Sequence, residues 1–170
     1  KVAFGAGSKV TVDLYGDQLI EIAVDDKTEK ALLENTGQIN AQRGSVALTV
    51  NAAKGLVDNV INMEGVTTVS SVEQVGGKIV LKGGDSGNVR VAGELDASGK
   101  QGGGEIEISG ENTFVSEDAQ ISADATENGD GGDVLIWGDN ASALFGTVSA
   151  RGGANGGDGG FVELSALNTV

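Results

Sequence analysis

The stretch GDGGDVLIWGDNASALFGTVSARGGANGGDGGFVELS, Gly129–Ser165, contains two versions of one pattern. Each version opens with a glycine-rich run and continues into a short strand with alternating apolar positions. A second short strand then ends in a small residue before the next glycine run. Upstream the pattern recurs. Gly131-Gly132-Asp133-Val134-Leu135-Ile136 and Gly159-Gly160-Phe161-Val162-Glu163-Leu164 match Gly102-Gly103-Gly104-Glu105-Ile106-Glu107-Ile108. Weaker copies are Gly76-Gly77-Lys78-Ile79-Val80-Leu81 and Gly44-Ser45-Val46-Ala47-Leu48. The lead residues Val46, Ile79, Ile106, Val134 and Val162 lie 33, 27, 28 and 28 positions apart. A companion strand tracks them: Ile39-Asn40-Ala41, Leu95-Asp96-Ala97, Ile121-Ser122-Ala123 and Val148-Ser149-Ala150, the last three 26 and 27 apart. Short strands and glycine turns repeating at this period are the signature of a solenoid.

The physics of such a repeat fixes the expected architecture. Each strand turns alternate side chains inward, and one coil alone cannot enclose them. The next coil can, if its equivalent strands sit about 4.8 Å above in parallel register. Ile106, Val134 and Val162 then form one inward ladder, Ile108, Ile136 and Leu164 a second, and Ala97, Ala123 and Ala150 a small-residue ladder near a corner. The glycine runs are expected to supply turns with positive φ. Three strands per coil give a triangular cross-section, and parallel crossovers are overwhelmingly right-handed. The sequence therefore predicts an all-β, right-handed parallel β-helix of about 27 residues per coil. Five to six coils would make a rod of roughly 25 Å.

The N-terminal third adds detail. Lys9–Leu14, KVTVDL, and Leu19–Val24, LIEIAV, both alternate. The short turn between them suits an antiparallel hairpin, or two solenoid strands around a corner. Asp26–Glu34, DKTEKALLE, carries a capping-box-like Asp26 and Glu29 and reads as a short helix. Asn51–Asn62, NAAKGLVDNVIN, is a second helical candidate, weakened by Gly55. These helical decorations sit on one body: residues 1–170 show no linker, charge block or domain boundary. The chain begins at Lys1 rather than methionine and shows no signal peptide, so it reads as a processed product or excised piece.

Composition narrows the function. The 170 residues include 25 acidic and 11 basic side chains, a net charge of -14. That balance argues against nucleic acid, whose phosphates need Lys and Arg, and against an anionic membrane surface. Without cysteine there is no disulfide, thiol nucleophile or Cys-ligated metal. Without histidine there is no Ser-His-Asp triad and no His-ligated zinc. No apolar run approaches the ~18 residues of a membrane helix.

The repeat carries a family resemblance. VLIWGDNASALFGTVSARGGANGGDGGFVELS is similar to the repeats of large secreted exoproteins of the filamentous haemagglutinin type, bacterial proteins exported by two-partner secretion. KVTVDLYGDQLIEIAVD, LLENTGQINAQRGSVALTVNAAKGL and GKIVLKGGDSGNVRVAGELDASGK resemble the same family, so the likeness spans nearly the whole chain. It implies a right-handed β-helix, secreted or held at the surface of a Gram-negative bacterium, often adhesive. It implies an outer-membrane secretion partner for the parent protein, and a host-cell, glycan or neighbouring-cell receptor. The family's N-terminal secretion segment, rich in Asn-Pro-Asn-type turns, has no counterpart in this proline-free sequence, so the resemblance implies a piece that lies after that segment or after most of it.

Three chemistries compete with this reading. Some β-helix proteins cleave acidic polysaccharides with clustered carboxylates, Ca²⁺ and a basic residue. Asp96, Glu105, Glu107, Asp133 and Glu163 fall at outward positions, but Leu135 separates Glu107 from Glu163 in one ladder. Next-but-one coils are about 9–10 Å apart, long even for an inverting carboxylate pair. Arg43, Arg90 and Arg151, the three arginines, form no cluster in sequence. Solvated outer-face charge is the simpler reading, and no enzymatic activity is expected. The runs Gly129–Asp133 and Gly152–Asp158 loosely resemble Ca²⁺-binding β-roll loops. They occur once per coil rather than in tandem nonapeptides, so turn formation explains them, and no metal or other cofactor is expected. Carbohydrate binding favours exposed aromatics. The six here, Phe4, Tyr15, Phe114, Trp137, Phe145 and Phe161, do not cluster in sequence. Trp137 and its neighbour Leu135 point outward and are the candidate partner contact, unless Leu144 and Phe145 cover them or pack inside.

The expected function is therefore a non-enzymatic structural shaft that carries adhesion, a segment of a large exoprotein. Absence of cysteine suits threading through a pore. A polysaccharide-binding or polysaccharide-cleaving β-helix is the alternative, and a homopolymeric extracellular fibre a third. End-to-end association fits an apolar cross-section at the C-terminal coil, which another coil, from the same longer chain or the next molecule, would cover.

Overall fold

The computed structural model describes residues 2–6, 9–11, 21–23, 33–41, 44–50, 59–69 and 76–170. Sixteen strands form among them. In chain order they are β1 (Val2–Ala6), β2 (Lys9–Thr11), β3 (Glu21–Ala23), β4 (Leu33–Asn35), β5 (Gln38–Asn40), β6 (Ser45–Val50), β7 (Asn59–Met63) and β8 (Val66–Thr68). There follow β9 (Lys78–Lys82), β10 (Asn88–Val91), β11 (Glu94–Asp96), β12 (Glu105–Val115), β13 (Gln120–Ser122), β14 (Asp133–Leu144), β15 (Thr147–Ser149) and β16 (Phe161–Ala166).

These strands stack into an all-β parallel solenoid of about four turns with about 28 residues per turn. One face is β1, β6, β9, the first half of β12, the first half of β14, and β16. A second is β4, β7, β10 and the second halves of β12 and β14. The third is β5, β8, β11, β13 and β15. Strands β12 and β14 bend across the corner between the first two faces, which joins those faces into one nine-stranded sheet. β2 and β3 pair antiparallel, with Val10 opposite Ile22. The hairpin reading of that segment is thus the one realised. The turns are fewer than the five to six expected.

The register follows the repeat. Val46, Ile79, Ile106, Val134 and Val162 are successive Cα partners, as are Leu48, Leu81, Ile108, Ile136 and Leu164. All but the last member of each column are fully buried. Burying each such side chain is worth about 1.5–3 kcal/mol, so the columns dominate the stability of every turn. Ala97 and Ala123 are also fully buried, and Ala150 is half-buried.

One expectation needs correction. No helix occurs among the described residues. Residues 24–32 and 51–58, most of both helical candidates, lie outside them, but the described ends of both candidates are strand. Leu33 and Glu34 belong to β4 and pair with Ile61 and Asn62 of β7. Burial of Leu33 and Ile61 in one column overrides the local helical spacing, because an isolated short helix has little stability of its own. Among the described residues positive φ occurs at Gly84, Gly102, Gly129, Gly156 and Gly157, all within glycine runs as expected, while the glycine pairs that open each first-face strand serve a different purpose. Those pairs are glycine because the backbones of adjacent turns nearly touch there. A Cβ on Gly132, for example, would overlap the carbonyl oxygen of Gly104 in the preceding turn.

Hydrogen bonding explains that closeness. The second glycine of each pair donates its N–H back to the small residue ending the third-face strand: Gly104 to Ala97 O at 2.9 Å, Gly132 to Ala123 O at 2.7 Å, Gly160 to Ala150 O at 2.8 Å. The first glycine donates to the following turn, Gly103 to Asp130 O and Gly131 to Asp158 O, both at 2.9 Å. One N–H closes a turn and the other clips it to its neighbour.

Candidate functional site

The outward-pointing side of the first face carries three columns of side chains that alternate with the core columns, though Ala47 and Val80 among them are themselves buried. Ser45, Lys78, Glu105, Asp133 and Phe161 form one, Ala47, Val80, Glu107, Leu135 and Glu163 the next, and Thr49, Lys82, Ser109, Trp137 and Ser165 the third. Glu107, Leu135 and Glu163 do share a ladder, with the apolar side chain between the carboxylates.

Charges on this surface pair across turns. Lys78 Nζ meets Glu105 Oε1 at 2.5 Å and Glu107 Oε2 at 3.8 Å, and Lys82 Nζ meets Glu107 Oε1 at 2.8 Å. Partly exposed pairs of this kind contribute about 0–1 kcal/mol each. Their effect is chemical: Glu105 and Glu107 are each held by an ammonium rather than paired with a second carboxylate as acid and base. Asp96 accepts from the backbone N–H of Ser98 at 2.9 Å and so serves a turn. On the second face Arg90 reaches Glu64 and Asn62, both at 3.3 Å.

Between the third and first faces an open groove of about 730 Å³ runs along the axis. Glycines 76, 77, 103, 104, 131 and 132 floor it, and Lys78, Glu105 and Asp133 stand at its rim. The glycine loops considered for Ca²⁺ stack on one another by main-chain bonds. Asp158 N–H donates to Asp130 Oδ1 at 2.7 Å, and Gly129 N–H to Gly156 O at 2.9 Å. Among the described residues no group of three or more acidic side chains is arranged around a common point.

Trp137 is the largest side chain on the surface and is 37% exposed. Alternation along β14 puts Val134 and Ile136 in the core and Leu135 and Trp137 outside, and the structure has that arrangement: Leu135 is half-buried. The indole N–H donates to Asp139 Oδ1 at 2.8 Å, which fixes the ring. Its column neighbours are Ser109 in the turn before and Ser165 in the turn after. Ser165 Oγ donates to Glu163 Oε1 at 2.6 Å. Leu144 packs inward against the core, while Phe145 packs against Phe114 with the rings tilted by 49° and their centroids 5.5 Å apart. The Phe114–Phe145 pair stays exposed, at 40% and 59%.

Two polar features escaped a search for apolar periodicity. Asn88, Asn112, Asn140 and Asn168 form a ladder at the corner between the first and second faces. Asn112 donates to Asn88 at 2.7 Å, Asn140 to Asn112 at 2.8 Å and Asn168 to Asn140 at 3.1 Å. Their spacings of 24, 28 and 28 residues were the available signal. Inside the second face, Thr113 Oγ1 donates to Ser142 Oγ at 2.9 Å, and Ser142 Oγ to the carbonyl of Ser165 at 2.7 Å. This chain satisfies two buried hydroxyls where the inward column changes from Val89 to Thr113 and Ser142. No protein-family model matches the chain, and no curated protein sequence matches it.

Proposed function

We propose that this chain is a structural and adhesive β-helix segment of a secreted or surface-exposed bacterial exoprotein, without enzymatic activity. The observation that carries the reading is the unbroken parallel ladder on three faces, from β5 to β15 on one and from β1 to β16 on another. Each turn is bonded to the next by backbone and by side-chain ladders, which makes a stiff spacer that holds other regions away from a cell. The likeness to filamentous haemagglutinin-type repeats supports export through an outer-membrane partner. Beads coated with the purified chain are expected to adhere to cell surfaces, and acidic polysaccharides incubated with it are expected to gain no new reducing ends. Failure to adhere to any cell surface would remove the adhesive role. Release of reducing ends would favour a polysaccharide-cleaving β-helix instead. The exposed ring of Trp137 favours one further reading, a polysaccharide-binding β-helix.

A further inference from the structure

We infer that the outer shelf around Trp137 binds a single non-anionic hexopyranose unit of a glycan, stacked on the indole face. The inference rests on the adhesive reading and names the chemistry that would serve it. Three observations converge. The indole is exposed and its N–H is already bonded to Asp139. What remains for a partner is the apolar ring face, held in one orientation, so little side-chain entropy is lost on contact. The turns on either side place Ser109 and Ser165 in the same column, so the ring's column neighbours are both small. The rim carries carboxylates: Asp139, bonded to the indole, and Glu163, bonded to Ser165.

An apolar plate edged by hydrogen-bond acceptors suits a sugar ring. The axial C–H face lies on the indole, and hydroxyls at the ring's edge donate to carboxylate oxygens, which form stronger bonds than neutral acceptors. The charge decides among sugars. With a net charge of -14 and two carboxylates at the rim, a uronate or sialic acid meets like charge. A neutral hexose is accepted, and a glucosamine-type ammonium is favoured by both the carboxylates and the indole π-face.

Trp137 is the only tryptophan in the chain, so its fluorescence reports this shelf and nothing else. Titrate the chain with three probes: neutral cello-oligosaccharide, glucosamine oligomer and oligogalacturonate. The expected result is saturable quenching or blue shift at millimolar neutral sugar, tighter binding of the glucosamine oligomer that weakens with salt, and no response to oligogalacturonate. The Trp137→Ala and Trp137→Phe variants are followed by calorimetry, after circular dichroism confirms their fold. Alanine should abolish binding, and phenylalanine should retain it within about tenfold, because the smaller ring keeps part of the stacking face. Absence of any response to the two non-anionic probes, or binding unchanged in Trp137→Ala, overturns the inference. The bead assay separates it from the broader reading. Adhesion that survives Trp137→Ala shows that adhesion does not run through the shelf and leaves the adhesive role, whereas sugar binding without any adhesion leaves the shelf and removes the adhesive role.

Discussion

Replacing Gly132 by alanine probes why the glycine pairs exist. A Cβ at this position would lie 1.9 Å from Gly104 O, and 2.7 Å from both Gly103 C and Gly104 N. All three are backbone atoms of the preceding turn, so no rotamer change relieves the overlap. The turns must part until the closest approach rises from 1.9 Å to at least 3.0 Å. That movement weakens two backbone bonds between the turns, Asp133 N–H to Gly104 O and Gly103 N–H to Asp130 O, both at 2.9 Å. Overpacking contributes about 1–3 kcal/mol and the two bonds about 0.5–1.5 kcal/mol each. Stiffening of the unfolded chain by the new methyl offsets about 0.4–1 kcal/mol. The net expected loss is about 1–6 kcal/mol. Two other glycines separate the causes. At Gly156 nothing lies within 4 Å of an added Cβ, but φ is +138°, so alanine should lose about 1–3 kcal/mol by backbone strain alone. At Gly37 the nearest atom is 3.9 Å away and φ is ordinary, so alanine should be within about 0.5 kcal/mol of neutral. Urea unfolding by far-ultraviolet circular dichroism ranks the three, and amide exchange at residues 104 and 133 shows whether the loss is local to that seam. If Gly132→Ala and Gly37→Ala unfold at the same urea concentration, close approach of adjacent turns is not why the pairs are glycine.

Ile136→Asp puts a charge into a fully buried column and should cost several kcal/mol, lowering the melting temperature strongly. Glu107→Ala removes only partly exposed ion pairs to Lys82 and Lys78 and should cost under about 1 kcal/mol; equal losses in the two variants would invalidate the assignment of inner and outer faces. Asn112→Ala breaks two rungs of the asparagine ladder and Asn168→Ala one exposed rung, so the former should lower stability by about 1–2 kcal/mol and the latter by less. Excess chelator and millimolar Ca²⁺ should give the same melting midpoint. A micromolar site would raise stability by more than about 2.7 kcal/mol once calcium exceeds a hundredfold its dissociation constant, a shift readily seen by calorimetry.

Much of this fold could be read from residue order because its signal is redundant. The first-face register rests on apolar residues in every turn, and the structure pairs the same residues: Val46, Ile79, Ile106, Val134 and Val162. The companion strand was legible at Ile39, Leu95, Ile121 and Val148 but skipped one turn. There the inward residue is Thr67, fully buried yet polar, which breaks the apolar pattern without breaking the stack. Local spacing misled at Leu33 and Asn59–Ile61, where contacts made 28 residues away decide the conformation. Glycine's turn-forming role was legible and holds at Gly102, Gly129, Gly156 and Gly157, but its second role was not: a turn signal is visible in sequence, whereas a backbone brushing the next turn is not. At the candidate surface the outward direction of Leu135 and Trp137 followed from alternation. The bond to Asp139 and the flanking serines needed the register between turns, which places residues 28 positions apart side by side.

The corners between the first and second faces differ from turn to turn. After β9 the chain spends residues 83–87 reaching β10, whereas β12 makes the same bend with Gly110 and Glu111 inside one strand. The strands they join still stack, Ile79 on Ile106 and Val89 on Thr113. Slack is thus confined to the edges of the prism, and the flat sides tolerate none. A residue inserted within a side would turn every following side chain of that strand to the opposite face. A residue inserted at an edge would be absorbed there. A duplicated or excised unit of one whole period would leave every surviving neighbour relation intact. Relatives of this architecture should therefore differ in length by multiples of that period, with their irregular insertions gathered along a few lines parallel to the axis.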